Sequence, residues 1–204
     1  MPAQSRAFFL AVDSESKSHR LCLYYPAAAG NFQGVILYVH PFAEEMNKAR
    51  RMAALQARAF SSAGYAVLQI DLLGCGDSSG DFGDATWKAW VDDVVRGMQW
   101  LCRQAASENS VQSIPAIWLW GLRAGCLLAV DAADQLDASC NFLFWQPPTA
   151  GKTLLQQFLR LQLAGDMLGG QSKGAMDSLR QQLATGSSVE VAGYVLSPGL
   201  TSGL

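Results

Sequence analysis

Histidine is nearly absent from this 204-residue chain, which holds only His19 and His40. Charge is sparse as well: Asp, Glu, Lys and Arg make up 16% of the residues, and 15 basic against 17 acidic side chains give a formal charge of −2. A near-neutral chain offers no broad positive field, so neither nucleic acid nor an anionic membrane surface is expected as a partner. Long apolar runs are also missing. The first, Ala7 to Val12, is shorter than the core of a signal peptide, and nothing nears the ~20 residues of a membrane span, so a cytoplasmic protein is expected. Cys22, Cys75, Cys102, Cys126 and Cys140 are odd in number and scattered, with no C-x-x-C pair. That pattern suits reduced thiols and excludes a disulfide frame or a zinc site, so no metal is expected. What the chain does have is apolar bulk, half of all residues, enough for one domain spanning 1–204 with a substantial core.

That bulk is distributed in alternating strands and helices. Phe8 to Val12 and Arg20 to Tyr25 read as an opening antiparallel pair joined by the polar stretch from Asp13 to His19. The runs 35–39, 66–70, 116–120 and 141–145 are short and apolar with little alternation, as expected of parallel strands covered on both faces. Between them, Trp87, Trp90, Val91, Val94, Val95, Met98, Leu101 and Cys102 trace one helical stripe, which places Asp92, Asp93 and Arg96 on the outer side. An earlier helix is expected over 47–63, with Met52, Leu55, Ala59 and Phe60 inward and Gly64 as its stop. The alternation implies an α/β fold with a doubly wound, mostly parallel sheet between helical layers.

In such sheets ligands bind beyond the carboxyl ends of the strands. Three loops lie there: His40-Pro41-Phe42-Ala43-Glu44-Glu45, then Asp71 through Ser78, then Gly121-Leu122-Arg123-Ala124-Gly125. In order and spacing these resemble the α/β-hydrolase fold, where a His-containing turn follows the third strand, D-x-x-G-x-G-x-S the fourth, and the G-x-S-x-G nucleophile elbow the fifth. Gly121 and Gly125 supply the clearance that an elbow needs, but Arg123 stands at the nucleophile position. A guanidinium stays protonated and offers no lone pair for attack. No His follows Arg123, although the superfamily takes its catalytic His from a C-terminal loop. Beyond 189–194 no further βα unit fits, so a sheet about two strands short of the superfamily's is expected, with an exposed edge. Gly74, Gly76 and Gly80 lack dinucleotide-fingerprint spacing and no helix begins before about Ala85, so no cofactor is expected.

The segments H-P-F-A-E-E-M-N-K-A-R-R-M, D-L-L-G-C-G-D-S-S-G-D-F, W-G-L-R-A-G and V-A-G-Y-x-L-S-P together resemble the exosortase A system-associated hydrolase 2 family, over nearly the whole chain. The resemblance implies a bacterial α/β-hydrolase-like protein associated with exosortase/PEP-CTERM and exopolysaccharide systems, with Arg usual at the elbow. It also implies a second hydrolase of the same locus as a partner.

Several roles stay open on the residues alone. Arg123 either grips a carboxylate or phosphate or pairs internally with Glu44 or Glu45. His40 either braces its loop through backbone hydrogen bonds or transfers protons. Pro41 has no N–H, so an oxyanion hole would use the backbone N–H groups of Phe42 and Ala124. Asp71 and Ser78 suit a tied-down loop, with Asp71, like His40, Glu44 and Glu45, near the pocket. Cys75 and Cys126 are alternative thiol nucleophiles if a neighbouring cation lowers their pKa, Cys75 being the better placed. From 151 to 188 leucines dominate, as in a helical cap over an acyl pocket or in helices packed on the sheet. Two functions follow: hydrolysis of an acyl or glycan-precursor ester or thioester without the usual serine, or binding of an anionic or acyl ligand, or of a protein, without turnover.

Overall fold

A computed structural model describes residues 4–13, 17–28, 30, 32–167 and 175–204. Its main sheet has six strands: β1 (Arg6–Ala11), β2 (His19–Tyr25), β3 (Gly34–Val39), β4 (Tyr65–Ile70), β5 (Ile117–Leu122) and β6 (Asn141–Trp145). The spatial order is β1-β2-β4-β3-β5-β6. β2 runs antiparallel to both β1 and β4, and the other neighbours are parallel. All six expected strands are present, with β5 running on to Leu122, so that Gly121 belongs to the strand.

Helices cover the two faces. α2 (Trp87–Asn109) and α3 (Ala124–Ala133) pack on the face that carries Leu37, Leu68 and Leu119. α1 (Glu44–Ser62) lies on the other, against Ile36, Tyr38, Val67 and Trp120. α2 begins at Thr86, whose hydroxyl accepts a hydrogen bond from the N–H of Ala89 (3.1 Å). α1 stops before Gly64, which takes φ +98°.

Two expectations about helix faces are corrected. Along α1 the buried residues are Met46, Ala53, Ala57 and Ser61, whereas Met52 and Leu55 are 59% and 48% exposed and Ala59 is exposed too. Ala53 and Ala57 let the helix seat closely on a sheet face that already carries Tyr38 and Trp120, so the stripe of small residues wins over the stripe of large ones. Asp93 is not on the outer side of α2. It is 1% exposed, accepting from Arg20 Nε (2.6 Å) and from the N–H of Leu73 (2.9 Å), so one buried carboxylate ties β2 and the loop after β4 to α2.

Beyond β6 come α4 (Gly151–Met167) and α5 (Ala175–Ala184), a separate hairpin of β7 (Val189–Val191) and β8 (Tyr194–Leu196), and a final turn, α6 (Pro198–Thr201). Residues 168–174 of the expected cap, including Gly169 and Gly170, lie outside the described residues. The hairpin was not foreseen in the sequence; its Tyr194 ring meets Phe82 at 5.0 Å rather than extending the sheet. Among the described residues the sheet ends at β6, where Phe142 and Phe144 are exposed. No described helix is long and apolar enough to cross a membrane.

Candidate active site

α1 follows β3 on one face of the sheet and α3 follows β5 on the other, so the connections diverge between these two adjacent strands. A crevice opens at such a switch point. Both turns into it are strained: Ala43 has φ 48°, ψ −128° and Arg123 has φ 52°, ψ −116°. Neither supplies a side-chain cap to its helix. The Arg123 turn is held by contacts too close for any side chain. A Cβ on Gly125 would lie 2.1 Å from the carbonyl oxygen of Val39, and one on Gly121 would lie 2.6 Å from the backbone of Cys126. With α3 pressed so tightly on β3 and β5, the residue between strand and helix has to point into the crevice.

There it meets a pocket of about 330 Å³. Arg123 and Phe42 line it from the turns, Glu44, Glu45 and Lys48 from the first turns of α1, and Leu154, Gln157 and Phe158 from α4. Phe158 packs edge-on against Phe42, with ring centroids 4.8 Å apart. The guanidinium of Arg123 donates from Nη2 to Gln157 Oε1 (2.9 Å), and its Nε lies 3.4 Å from Glu45 Oε1. Lys48 is taken by Glu44 (3.1 Å). Of the two glutamates considered from the sequence, the structure thus brings Glu45 to Arg123. Among the described residues nothing accepts from the N–H groups of Phe42 or Ala124.

Solved structures share this arrangement of sheet and helices. A protein of Agrobacterium vitis S4 superimposes over 99% of this chain and 71% of its own, with a TM-score of 0.60 and 16% identity. XC6422 of Xanthomonas campestris, an α/β serine hydrolase without a lid, covers 74% of this chain and 64% of its own (TM-score 0.55, 21% identity). The fold is that of the α/β-hydrolases. A thermostable carboxyl esterase of Bacillus coagulans is similar over 81% of this chain and 51% of its own (TM-score 0.56, 18% identity). In sequence, residues 20–114 match the model of the X-Pro dipeptidyl-peptidase (S15) family. Protein ABHD12B of Homo sapiens is 28% identical over 116 residues, 57% of this chain. The match spans 29% of that protein's length.

Within the α/β-hydrolase fold several expected site residues fall elsewhere. His40 and Asp71 do not line the pocket. Both border a separate space of about 20 Å³. The His40 ring is buried, with Nδ1 donating to the Pro41 carbonyl (2.8 Å) and Nε2 accepting from the N–H of Leu72 (3.2 Å). Burial holds its pKa below 6.5, so the imidazole is neutral, with both nitrogens engaged by backbone. Asp71 accepts from Arg50 Nη2 (2.9 Å), a partner that the sequence did not single out, while its carbonyl accepts from the hydroxyl of Ser78 (2.5 Å).

Cys75 as a nucleophile is corrected. The thiol is buried, and burial, followed by the Asp71 carboxylate, pushes its pKa up to about 12, the reverse of activation. Burial likewise raises Cys126 to about 11. Lys48, Leu154, Gln157 and Phe158 had no individual role in the sequence reading. The leucine-rich stretch was the one signal that pointed towards α4. Among the described residues no three His, Cys, Asp or Glu side chains gather as a metal site would require.

Proposed function

We propose that this protein holds the acyl group of an ester or thioester in the pocket beneath α4 and hydrolyses it with water as the nucleophile. The observation that carries the reading is the pair of unclaimed N–H groups, Phe42 and Ala124, at the turns beside a pocket walled by Leu154, Phe158 and Phe42. Donors in that position stabilise the negative charge that develops on a carbonyl oxygen. Water adds to the carbonyl carbon, the C–O or C–S bond breaks, and the alcohol or thiol leaves with a proton from the water. Within a single domain, α4 acts as the cap over this pocket. The resemblance to the exosortase A system-associated hydrolase 2 family supports an acyl or glycan-precursor substrate in a cytoplasmic step of an exopolysaccharide system, beside a second hydrolase of the same locus.

Purified protein is assayed on short- to long-chain acyl esters and thioesters beside Arg123→Ala and Cys75→Ala. Turnover that falls in Arg123→Ala and persists in Cys75→Ala is the expected result. Absence of turnover in folded protein overturns it. Two observations favour a second reading, ligand binding without turnover: the elbow carries a cation where the fold's serine would be, and Cys75 and Cys126 are held as neutral thiols.

A further inference from the structure

The contact between Arg123 and Glu45 has the features of a place held for something else. Charge-assisted pairs of this kind close to about 2.7–2.9 Å and are often bidentate. Here a single Nε to Oε1 approach stops at 3.4 Å. The other carboxylate oxygen, Glu45 Oε2, is shut off from solvent and has no hydrogen-bond partner. Leaving an ionised oxygen dry and unpaired is unfavourable. The second contact of Arg123, with Gln157, is to a neutral amide and leaves the charge uncompensated.

We infer that Glu45 occupies the position of a ligand carboxylate on Arg123, and that the ligand is a free acyl carboxylate which displaces it. The inference rests on the acyl pocket just proposed and adds that its tightest occupant is the acid rather than the ester or alcohol. Charge decides for a monoanion. Lys48 is already neutralised by Glu44, so one guanidinium faces one carboxylate, and a ligand carboxylate can replace that of Glu45 one for one. A dianion would leave excess negative charge in the pocket. Displacement is easy for Glu45. It sits in the first turn of α1 with its side chain 40% exposed, so the released carboxylate gains water and stays beside a helix N-terminus that favours negative charge. The acyl tail of the ligand then lies along Leu154, Phe158 and Phe42 in about 330 Å³, room for a short to medium chain.

The test is calorimetric titration of the intact protein with octanoate, 1-octanol and methyl octanoate, in the wild type, Glu45→Gln, Glu45→Ala and Arg123→Met. Octanoate is expected to bind the wild type more tightly than the two neutral probes. Glu45→Gln and Glu45→Ala should each tighten octanoate about two- to fivefold, the range set by removing one partly exposed ion pair, and leave octanol unchanged. Arg123→Met should abolish the preference for the acid. If octanoate binds but both Glu45 variants leave it unchanged or weaken it, the displaced carboxylate is wrong while the acyl pocket stands. If no probe binds any variant, the acyl pocket fails and the inference with it.

Discussion

The turns into α1 and α3 differ in φ by only a few degrees, 48° at Ala43 against 52° at Arg123, yet one carries a methyl group and the other a guanidinium. Ala43 is buried in the core, while Arg123 reaches the pocket. Two side chains with nothing chemical in common thus adopt the same strained backbone. The strain therefore comes from how tightly a helix turns back on its strand, and the chemistry of the side chain is a separate choice. In this protein that choice places a cation at the turn from β5 into α3.

The comparison can be broken most severely at the packing that enforces it. Gly125→Ala places a methyl group 2.1 Å from the Val39 carbonyl and should destabilise the fold by roughly 3 kcal/mol or more, seen as a collapse of the denaturant midpoint. Next comes His40, which braces the turn into α1. His40→Ala should cost about 2–3 kcal/mol, because the N–H of Leu72 and the carbonyl of Pro41 lose their partner. The sign of the pH effect follows from the depressed pKa of the buried ring. As pH falls below about 6.5 the unfolded chain takes up a proton that the folded one refuses, so the contribution present above that pH is lost on acidification. Chemical denaturation between pH 7.5 and 5 should show this loss in the wild type and a shallower slope in the variant.

A gentler change separates strain from chemistry. Glycine at either turn relieves a positive φ, so Ala43→Gly and Arg123→Gly should each leave stability unchanged or raise it by up to about 1 kcal/mol. Only the second should affect ligand binding. If Arg123→Gly is strongly destabilising instead, the guanidinium holds the fold together and the comparison fails. Arg123→Ser should form no acyl-serine intermediate and turn esters over no faster than Arg123→Ala, because the backbone-bound His40 is not free to activate a serine. The smallest effect concerns the thiols. Alkylation of native protein at pH 8 should label the half-buried Cys102 and Cys140 well before Cys75 or Cys126.

The six strands, α2 and the three loops were legible in the sequence, since each is written in a local apolar period or a run of turn residues. The candidate site was legible at its backbone: Gly121 and Gly125 pointed to the tight turn from β5 into α3 that carries Arg123. Its side-chain partners were not. Gln157 is 34 residues from Arg123, and nothing local to either residue links them. Glu44 and Glu45 are adjacent, and nothing local to either shows which of them meets Arg123. Glu44 has Lys48 one turn along the same helix, whereas only the seating of α1 beside the turn into α3 brings Glu45 to Arg123. Cys75 was the better placed of two candidate thiols by its loop, and only the structure shows that it is buried.

By itself the sequence determined the strand order's raw material, the loops that can carry chemistry, and the arginine between Gly121 and Gly125. These are matters of residue type and short-range period, which survive without coordinates. Tertiary structure alone decided which stripe of α1 is buried, that Asp93 lies inside, and that Arg123 meets Glu45 and Gln157. Each of those depends on how closely two elements approach and at what rotation, and that is set by the summed packing of residues far apart in the chain.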